Sequence, residues 1–290
     1  MPPLTPGDGA ALRRKAEAGD PQAQLRLGES YAVGVGVAQD PAEAVHWYRR
    51  AAQQGFAAAQ YALGLTYAKG NGVPKDPAEA ARWYRMAAEG GLAEAQCALG
   101  VMYGKGKGVR KDPAEAARWL RIAAERGHAN AQFSLGELCA LGQGVPQDPE
   151  AAVGWFRRAA EGGHVEAQFN LGLMCAQGER VAKDPAEAVR WFRLAAERGD
   201  VEAQISLGVM HGRGEGVPED SAESARWYRM AAEQGHAEAQ FNLGLMCARG
   251  EGVPQDPAEA VRWFRLAAEQ GYAVQYALGV LYGQGKGVPK

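Results

Sequence analysis

Long apolar runs are missing from this 290-residue chain: no stretch of about 18 apolar residues occurs, so nothing in it can span a bilayer as a helix. The first twenty residues, MPPLTPGDGAALRRKAEAGD, have no apolar leader stretch. On both grounds the chain reads as cytoplasmic with no membrane insertion, and a leader already removed would leave no trace. Neither sign of charge is in excess. A net charge of −2 gives no large field toward nucleic acid or an anionic membrane. The four cysteines, Cys97, Cys139, Cys175 and Cys247, lie too far apart in sequence to suggest a metal knuckle or a redox pair. Apolar residues at 47% and charged residues at 23% argue against long disorder.

Catalytic signals are missing as well. GKGKGV at 104–109 is glycine-rich, but no Ser or Thr follows a Gly-Lys and no strand precedes it, so it is not a phosphate loop. His128, His164 and His236 share one position in a repeating pattern. Neighbouring copies would stand on the order of 10 Å apart, whereas zinc needs ligands at about 2 Å, so no metal site is expected. His46 and His211 stand alone. The chain is read as having no active site, no cofactor and no metal.

What the chain does have is a period. Its only tryptophans are Trp47, Trp83, Trp119, Trp155, Trp191, Trp227 and Trp263, every interval being 36. Asp40, Asp76, Asp112, Asp148, Asp184, Asp220 and Asp256 keep the same interval, as does the Gly of each Leu-Gly pair from Gly28 to Gly244. An eighth glycine, Gly279, arrives one residue early. The fourteen residues DPAEAVRWFRLAAE occur identically at 184–197 and 256–269.

One unit, 56–91, shows how the period folds. Ala59, Leu63 and Tyr67 form a helical stripe, and this helix A stops at Gly70. An extended turn leads to Asp76, an N-cap followed by Pro77 at the first helical position. Glu79, three residues after the cap, completes a capping box. Helix B then buries Ala80, Trp83 and Ala87 and ends near Gly91. Gly64 lies mid-helix, where it costs about 1 kcal/mol relative to Ala. Its recurrence predicts a close backbone approach, against the Trp of helix B. On the outer face, Glu79–Arg82 and its equivalents make i,i+3 pairs. A second arginine recurs at Arg49, Arg85, Arg121, Arg157, Arg193, Arg229 and Arg265, mostly with a Glu four residues later. That row reads as a solvated, salt-bridged face rather than a basic binding stripe.

The pattern of Ala59, Gln60, Leu63, Gly64, Tyr67, Gly70, Gly72, Val73, Asp76, Ala80, Trp83, Ala87, Ala88 and Gly91, with its equivalents, resembles the Sel-one-like repeat family, a branch of the tetratricopeptide-like solenoids. The resemblance runs from about Gly19 to Lys290. It implies an all-α, right-handed superhelix of about seven 36-residue helix-turn-helix repeats plus terminal half-repeats, with A helices lining a concave side. Residues 1–19 would form an N-terminal half-repeat or cap helix and 20–290 the array, whose last unit is shortened. The chain stops after a final A helix at about 273–283. That leaves two readings: an artificial boundary, or a flank open to end-to-end self-association or a partner. Two departures stand out, Arg180 in place of a turn glycine and the residue lost before Gly279. Some cysteine-rich relatives have been labelled penicillin hydrolases. Ser30, Ser134, Ser206, Ser221 and Ser224 all lack the Lys three residues later that such chemistry wants. The cysteines read as small buried hydrophobes.

The family resemblance implies adaptors that hold other proteins. Positions offset from the core stripe of helix A should face the groove, and they vary along the array. One slot carries Leu25, Tyr61, Cys97, Phe133, Phe169, Ile205, Phe241 and Tyr276. A second includes Asn170 and Asn242, a third Glu137, and a fourth Lys69, Lys105, Arg213 and Arg249. Together they suggest an apolar, partly aromatic floor with amides and a basic edge, suited to a peptide or protein segment. The alternative for each aromatic is packing between neighbouring A helices. The leading reading is a non-catalytic interaction scaffold. The alternatives are a structural or self-assembling array, natural or engineered, and, more remotely, a hydrolase or small-molecule binder using the groove.

Overall fold

A computed structural model describes residues 6–272. The last A helix, Tyr276, Gly279 and the open C-terminal flank lie outside the described residues. Among those described, the chain forms fifteen α-helices and no strand. After α1 (Pro6–Glu17), A and B helices alternate. The A helices are α2 (Pro21–Val33), α4 (Ala57–Lys69), α6 (Ala93–Lys105), α8 (Ala129–Leu141), α10 (Val165–Gln177), α12 (Val201–Arg213) and α14 (Ala237–Arg249). The B helices are α3 (Pro41–Gln53), α5 (Pro77–Glu89), α7 (Pro113–Glu125), α9 (Pro149–Glu161), α11 (Pro185–Ala196), α13 (Ser221–Glu233) and α15 (Pro257–Glu269). Two compact units divide the chain, residues 1–162 and 163–290. Each is a stack of A–B helix pairs.

The punctuation of each pair follows from its terminal residues. Helix A of the second pair ends where Gly70 takes φ 82° and its N–H returns to the Thr66 carbonyl. The Asp76 side chain then accepts from the N–H groups of Ala78 and Glu79 at 2.9 and 3.0 Å. The expected capping box is corrected in its second half. The Asp76 N–H donates to the Tyr67 carbonyl of helix A at 2.9 Å, and the same bond recurs from Asp40 to Asp256. With that N–H already satisfied, the glutamate carboxylate turns elsewhere. Glu43, Glu115, Glu187 and Glu259 each accept from the Trp Nε1–H one turn on, at 2.9–3.2 Å.

The mid-helix glycine does mark a close approach, but not to the tryptophan. A β-carbon on Gly64 would stand 2.6 Å from the ring of Tyr84, the residue after Trp83. Gly28 meets Tyr48, Gly100 Leu120, Gly136 Phe156, Gly172 Phe192, Gly208 Tyr228 and Gly244 Phe264 in the same way. The residue next to Trp is the one aimed into the hairpin, so it takes the space the missing β-carbon leaves. The indoles themselves are covered: Trp47, Trp119, Trp227 and Trp263 are 2–7% exposed, and Trp83, Trp155 and Trp191 are half-buried.

Successive pairs are joined by two devices within each unit. The buried Gln60 side chain donates to the Ala52 carbonyl at the end of the preceding B helix, and Gln24, Gln96, Gln132, Gln204 and Gln240 repeat the bond at 3.0–3.2 Å. Each of those last-turn carbonyls also accepts from the glycine N–H three residues on, at 3.0–3.1 Å, so the glutamine uses the oxygen's second lone pair to tie the next A helix to the helix end. The turn glycine Gly72 lies against the Pro41 carbonyl, where a β-carbon would come within 2.1 Å of the oxygen. At Arg180 the left-handed backbone is retained, with φ 62°, the one non-glycine among the described residues to adopt it. The recurrent outer arginines do more than line a solvated face. Arg49 donates to the Tyr67 hydroxyl at 2.9 Å, Arg85 to Tyr103 at 2.6 Å, and Arg229 pairs with Glu259 at 2.7 Å, each reaching the next helix pair.

Candidate functional site

The variable A-helix positions fall into two groups. The aromatics pack mainly inside their own pairs. Tyr61 lies on Tyr84, Phe133 on Phe156, Phe169 on Phe192 and Phe241 on Phe264, with ring centroids 5.5–5.7 Å apart. The ring partner is the same B-helix residue that covers the glycine, and Tyr61 and Phe169 also join clusters that include buried residues of the next A helix. Phe133 is left 7% exposed, and Tyr61, Phe169 and Phe241 are half-buried. Phe241 also touches Tyr272 at 5.3 Å.

Four of the polar positions, Lys69, Arg213, Asn242 and Arg249, open onto pockets between consecutive A helices. In the second unit, Arg213 on α12 and Asn242 and Arg249 on α14 line one pocket of about 250 Å³. Tyr228 of the intervening α13 lines it too, beside Ser221 and Ser224. Arg213 and Arg249 are exposed and held only loosely, 3.7 and 3.6 Å from Glu215 and Glu251. Ser224 Oγ donates to the Gly208 carbonyl at 2.6 Å. Burial raises the Tyr228 hydroxyl above the ordinary phenol range, with Glu238 adding to the rise.

A counterpart of about 350 Å³ occupies the same repeat positions in the first unit. There Lys69, Ala62 and Leu65 of α4 stand over Tyr48 of α3, with Gln39 and Asn71 at its edge. Burial pushes Tyr48 up to about 12. Lys105 and Glu137 are exposed on α6 and α8, and Asn170 is half-buried on α10. The structure thus gathers Arg213, Asn242 and Arg249 and gives Lys69 an equivalent setting. It does not bring Asn170, Glu137 or Lys105 into either pocket. Tyr48, Tyr228 and the two serines were not among the expected groove residues. For the two tyrosines the signal was a large apolar residue always twenty positions after the Leu-Gly glycine.

The remaining reactive groups have structural places. All four cysteines are buried and outside any disulfide, and burial pushes Cys97 and Cys247 up to about 11, which disfavours the nucleophilic thiolate. The repeated histidines sit at the N-cap of A helices. His128 and His164 accept through Nδ1 from the N–H groups of Ala131 and Ala167 at 3.2 Å, and His236 lies 3.6 Å from Glu202. Among the described residues no three His, Cys, Asp or Glu side chains form a metal-binding group, and no helix is long and apolar enough to cross a membrane.

Comparison with known proteins agrees with the repeat geometry. No curated protein matches the chain in sequence. Solved structures similar over most of it include the following two. One is c5321, a protective antigen present in uropathogenic Escherichia coli strains displaying an SLR fold. It is 42% identical with a TM-score of 0.86, and the match covers 96% of this chain and 60% of that one. This chain therefore spans 60% of the antigen's length, less than two thirds. The other is a Sel1 repeat protein from Oxalobacter formigenes, 39% identical with a TM-score of 0.73, covering 94% of this chain and 80% of that one. The family model for the Sel1 repeat matches residues 21–56, 57–92, 93–128, 129–164, 165–200, 201–236, 237–272 and 273–290. With the model tiling all but the first twenty residues, the chain belongs to the Sel1 repeat family.

Proposed function

We propose that this protein is a non-catalytic scaffold that holds an extended segment of a partner polypeptide in the grooves between consecutive A helices. One observation carries the reading. At equivalent places in the two units, a pocket floored by a B-helix tyrosine is rimmed by basic A-helix side chains, Lys69 in one and Arg213 with Arg249 in the other. The scaffold does not dictate these rim residues, since Val33, Leu141 and Gln177 occupy the same slot elsewhere. Asn242 can both donate to and accept from a peptide backbone, and the aromatic floor offers apolar contact at little entropic cost.

Panning a random peptide display library against the protein tests the reading. Selected peptides are then measured against the variant carrying Asn170→Ala, Asn242→Ala, Arg213→Glu and Arg249→Glu. Binding at least tenfold weaker, with unchanged helicity by circular dichroism, is expected. Equal binding by the variant, or cross-linking of the peptides to B-helix outer faces, would overturn it.

A further inference from the structure

His211 occupies the helix A slot that holds Tyr67, Tyr103, Cys139, Cys175 or Cys247 in other repeats. It is 6% exposed, and both ring nitrogens are buried without a protein hydrogen-bond partner. Nε1 of Trp227, in the B helix of the same pair, is buried and unpartnered as well. Three stranded nitrogens in one helix pair are unusual, because such groups normally find partners.

The carboxylate that should serve them is present but turned away. Glu223, one turn before Trp227, accepts from Arg226 Nε and Nη2 at 3.2 and 2.9 Å on the outer face. The next pair shows the other arrangement. There Glu259 points inward, accepting from Trp263 Nε1 at 3.1 Å and Arg229 Nη1 at 2.7 Å, with a further hydrogen bond from the Cys247 thiol. Glu115 does both, meeting Trp119 at 2.9 Å and Arg118 at 2.5 Å. One molecule therefore displays this carboxylate outward, inward and in between, so the repeat geometry admits each position. Arg193 stands where Arg229 stands one repeat on.

We propose that protonation of His211 draws the Glu223 carboxylate inward from Arg226 to the imidazolium and the Trp227 indole, making the α12–α13 pair a proton-driven switch. The groups facing His211 set its balance. Burial, the largest influence, favours the neutral ring; Glu223 and Asp220 favour the imidazolium, and Arg193 and Arg226 oppose it. Asp220 is committed as the cap of α13, bonded to the N–H groups of Ala222 and Glu223, so Glu223 is the acid free to move. Inward, it would also meet Arg193 and cancel its repulsion. Arg226 loses little, because its guanidinium already lies 4.5 Å over the Trp227 ring. Burial holds His211 below the ordinary histidine value, so the transition lies on the acid side of that value.

Nuclear magnetic resonance of the full chain tests this, following the Trp227 indole N–H and the His211 ring from pH 8 to 5. A hydrogen bond gained by the indole moves its proton downfield, and its midpoint should coincide with that of His211. Glu223→Gln should abolish the indole shift while His211 still titrates, at lower pH. His211→Cys, which installs the residue natural to this slot, should leave the indole insensitive to pH. An indole unmoved while His211 titrates, a pH response that survives in either variant, or unfolding before His211 titrates would each overturn the proposal.

Discussion

The ring of Tyr84 lies against the α-carbon of Gly64, in a space where a β-carbon would meet Cδ1 and Cε1 at 2.6 Å. Seven pairs keep this relationship, with Tyr, Phe or Leu as the covering residue. Gly64→Ala gains about 1 kcal/mol of helix propensity but overpacks the hairpin by more, so a net loss of about 1–2 kcal/mol is expected in urea denaturation. Gly154, exposed within α9 with nothing within 4 Å of its virtual β-carbon, should behave oppositely. Gly154→Ala should gain about 0.5–1 kcal/mol.

Gln132 donates to the Ala124 carbonyl, but its Oε1 is buried without a partner. Gln24, Gln204 and Gln240 each receive a hydrogen bond there from a glutamine thirty residues on, Gln54, Gln234 and Gln270, at 2.8–2.9 Å. The equivalent of that donor for Gln132 is Gly162, whose φ of −73° suits any residue. Gly162→Gln should therefore stabilise by about 1 kcal/mol, read as a higher denaturation midpoint. The Ala129 methyl, 3.1 Å from the new β-carbon, must yield by a few tenths of an ångström.

His164 caps α10 only while Nδ1 is unprotonated. Burial lowers its pKa below the ordinary value, with Glu166 opposing in part. The folded protein thus binds this proton less readily than the unfolded chain. The stability it contributes is complete above about pH 6.5 and is lost as the pH falls below that value. Asp200 holds the same slot and accepts from the Ala203 N–H at 2.8 Å. His164→Asp should flatten the stability profile between about pH 6.5 and 5, measured by thermal denaturation across that range.

Arg85 Nη2 donates to the Tyr103 hydroxyl at 2.6 Å across helix pairs. Tyr103→Phe should cost about 0.5–1.5 kcal/mol. A double-mutant cycle with Arg85→Ala should recover most of that as coupling energy, since each single change removes the same bond. Additive losses would assign the tyrosine's contribution to its ring alone.

The buried thiols at Cys97 and Cys247, pushed up to about 11, should resist an aromatic disulfide reagent at pH 8 in the native protein. Labelling should follow the unfolding rate rather than the reagent concentration, as for any thiol exposed only by opening.

Much of the fold was legible because its cues are local and repeated. Asp76 and Pro77 start a helix and Gly70 ends one through backbone geometry within a few residues, and the 36-residue spacing of Trp fixes the unit. The errors fell where a residue's partner is set by packing. Gly64 was paired with Trp83, but one position along a helix rotates a side chain by about 100°, and it is Tyr84 that enters the hairpin. Glu79 was given the Asp76 N–H, which the Tyr67 carbonyl had already taken. In the groove, the periodicity marked the variable positions. It could not say that Phe133 turns onto Phe156 while Asn242 shares a pocket with Arg213 and Arg249.

By itself the sequence determined that this is an all-helical array, where each helix begins and ends, and which residues recur at its core, because capping and amphipathic spacing act over a single turn. Only the tertiary structure decided which ring fills each glycine notch, where each glutamate and arginine finds its partner, and which variable side chains share a pocket. Those choices are set by how the helices pack, in most cases between residues eighteen to thirty-six positions apart, and no local pattern encodes them.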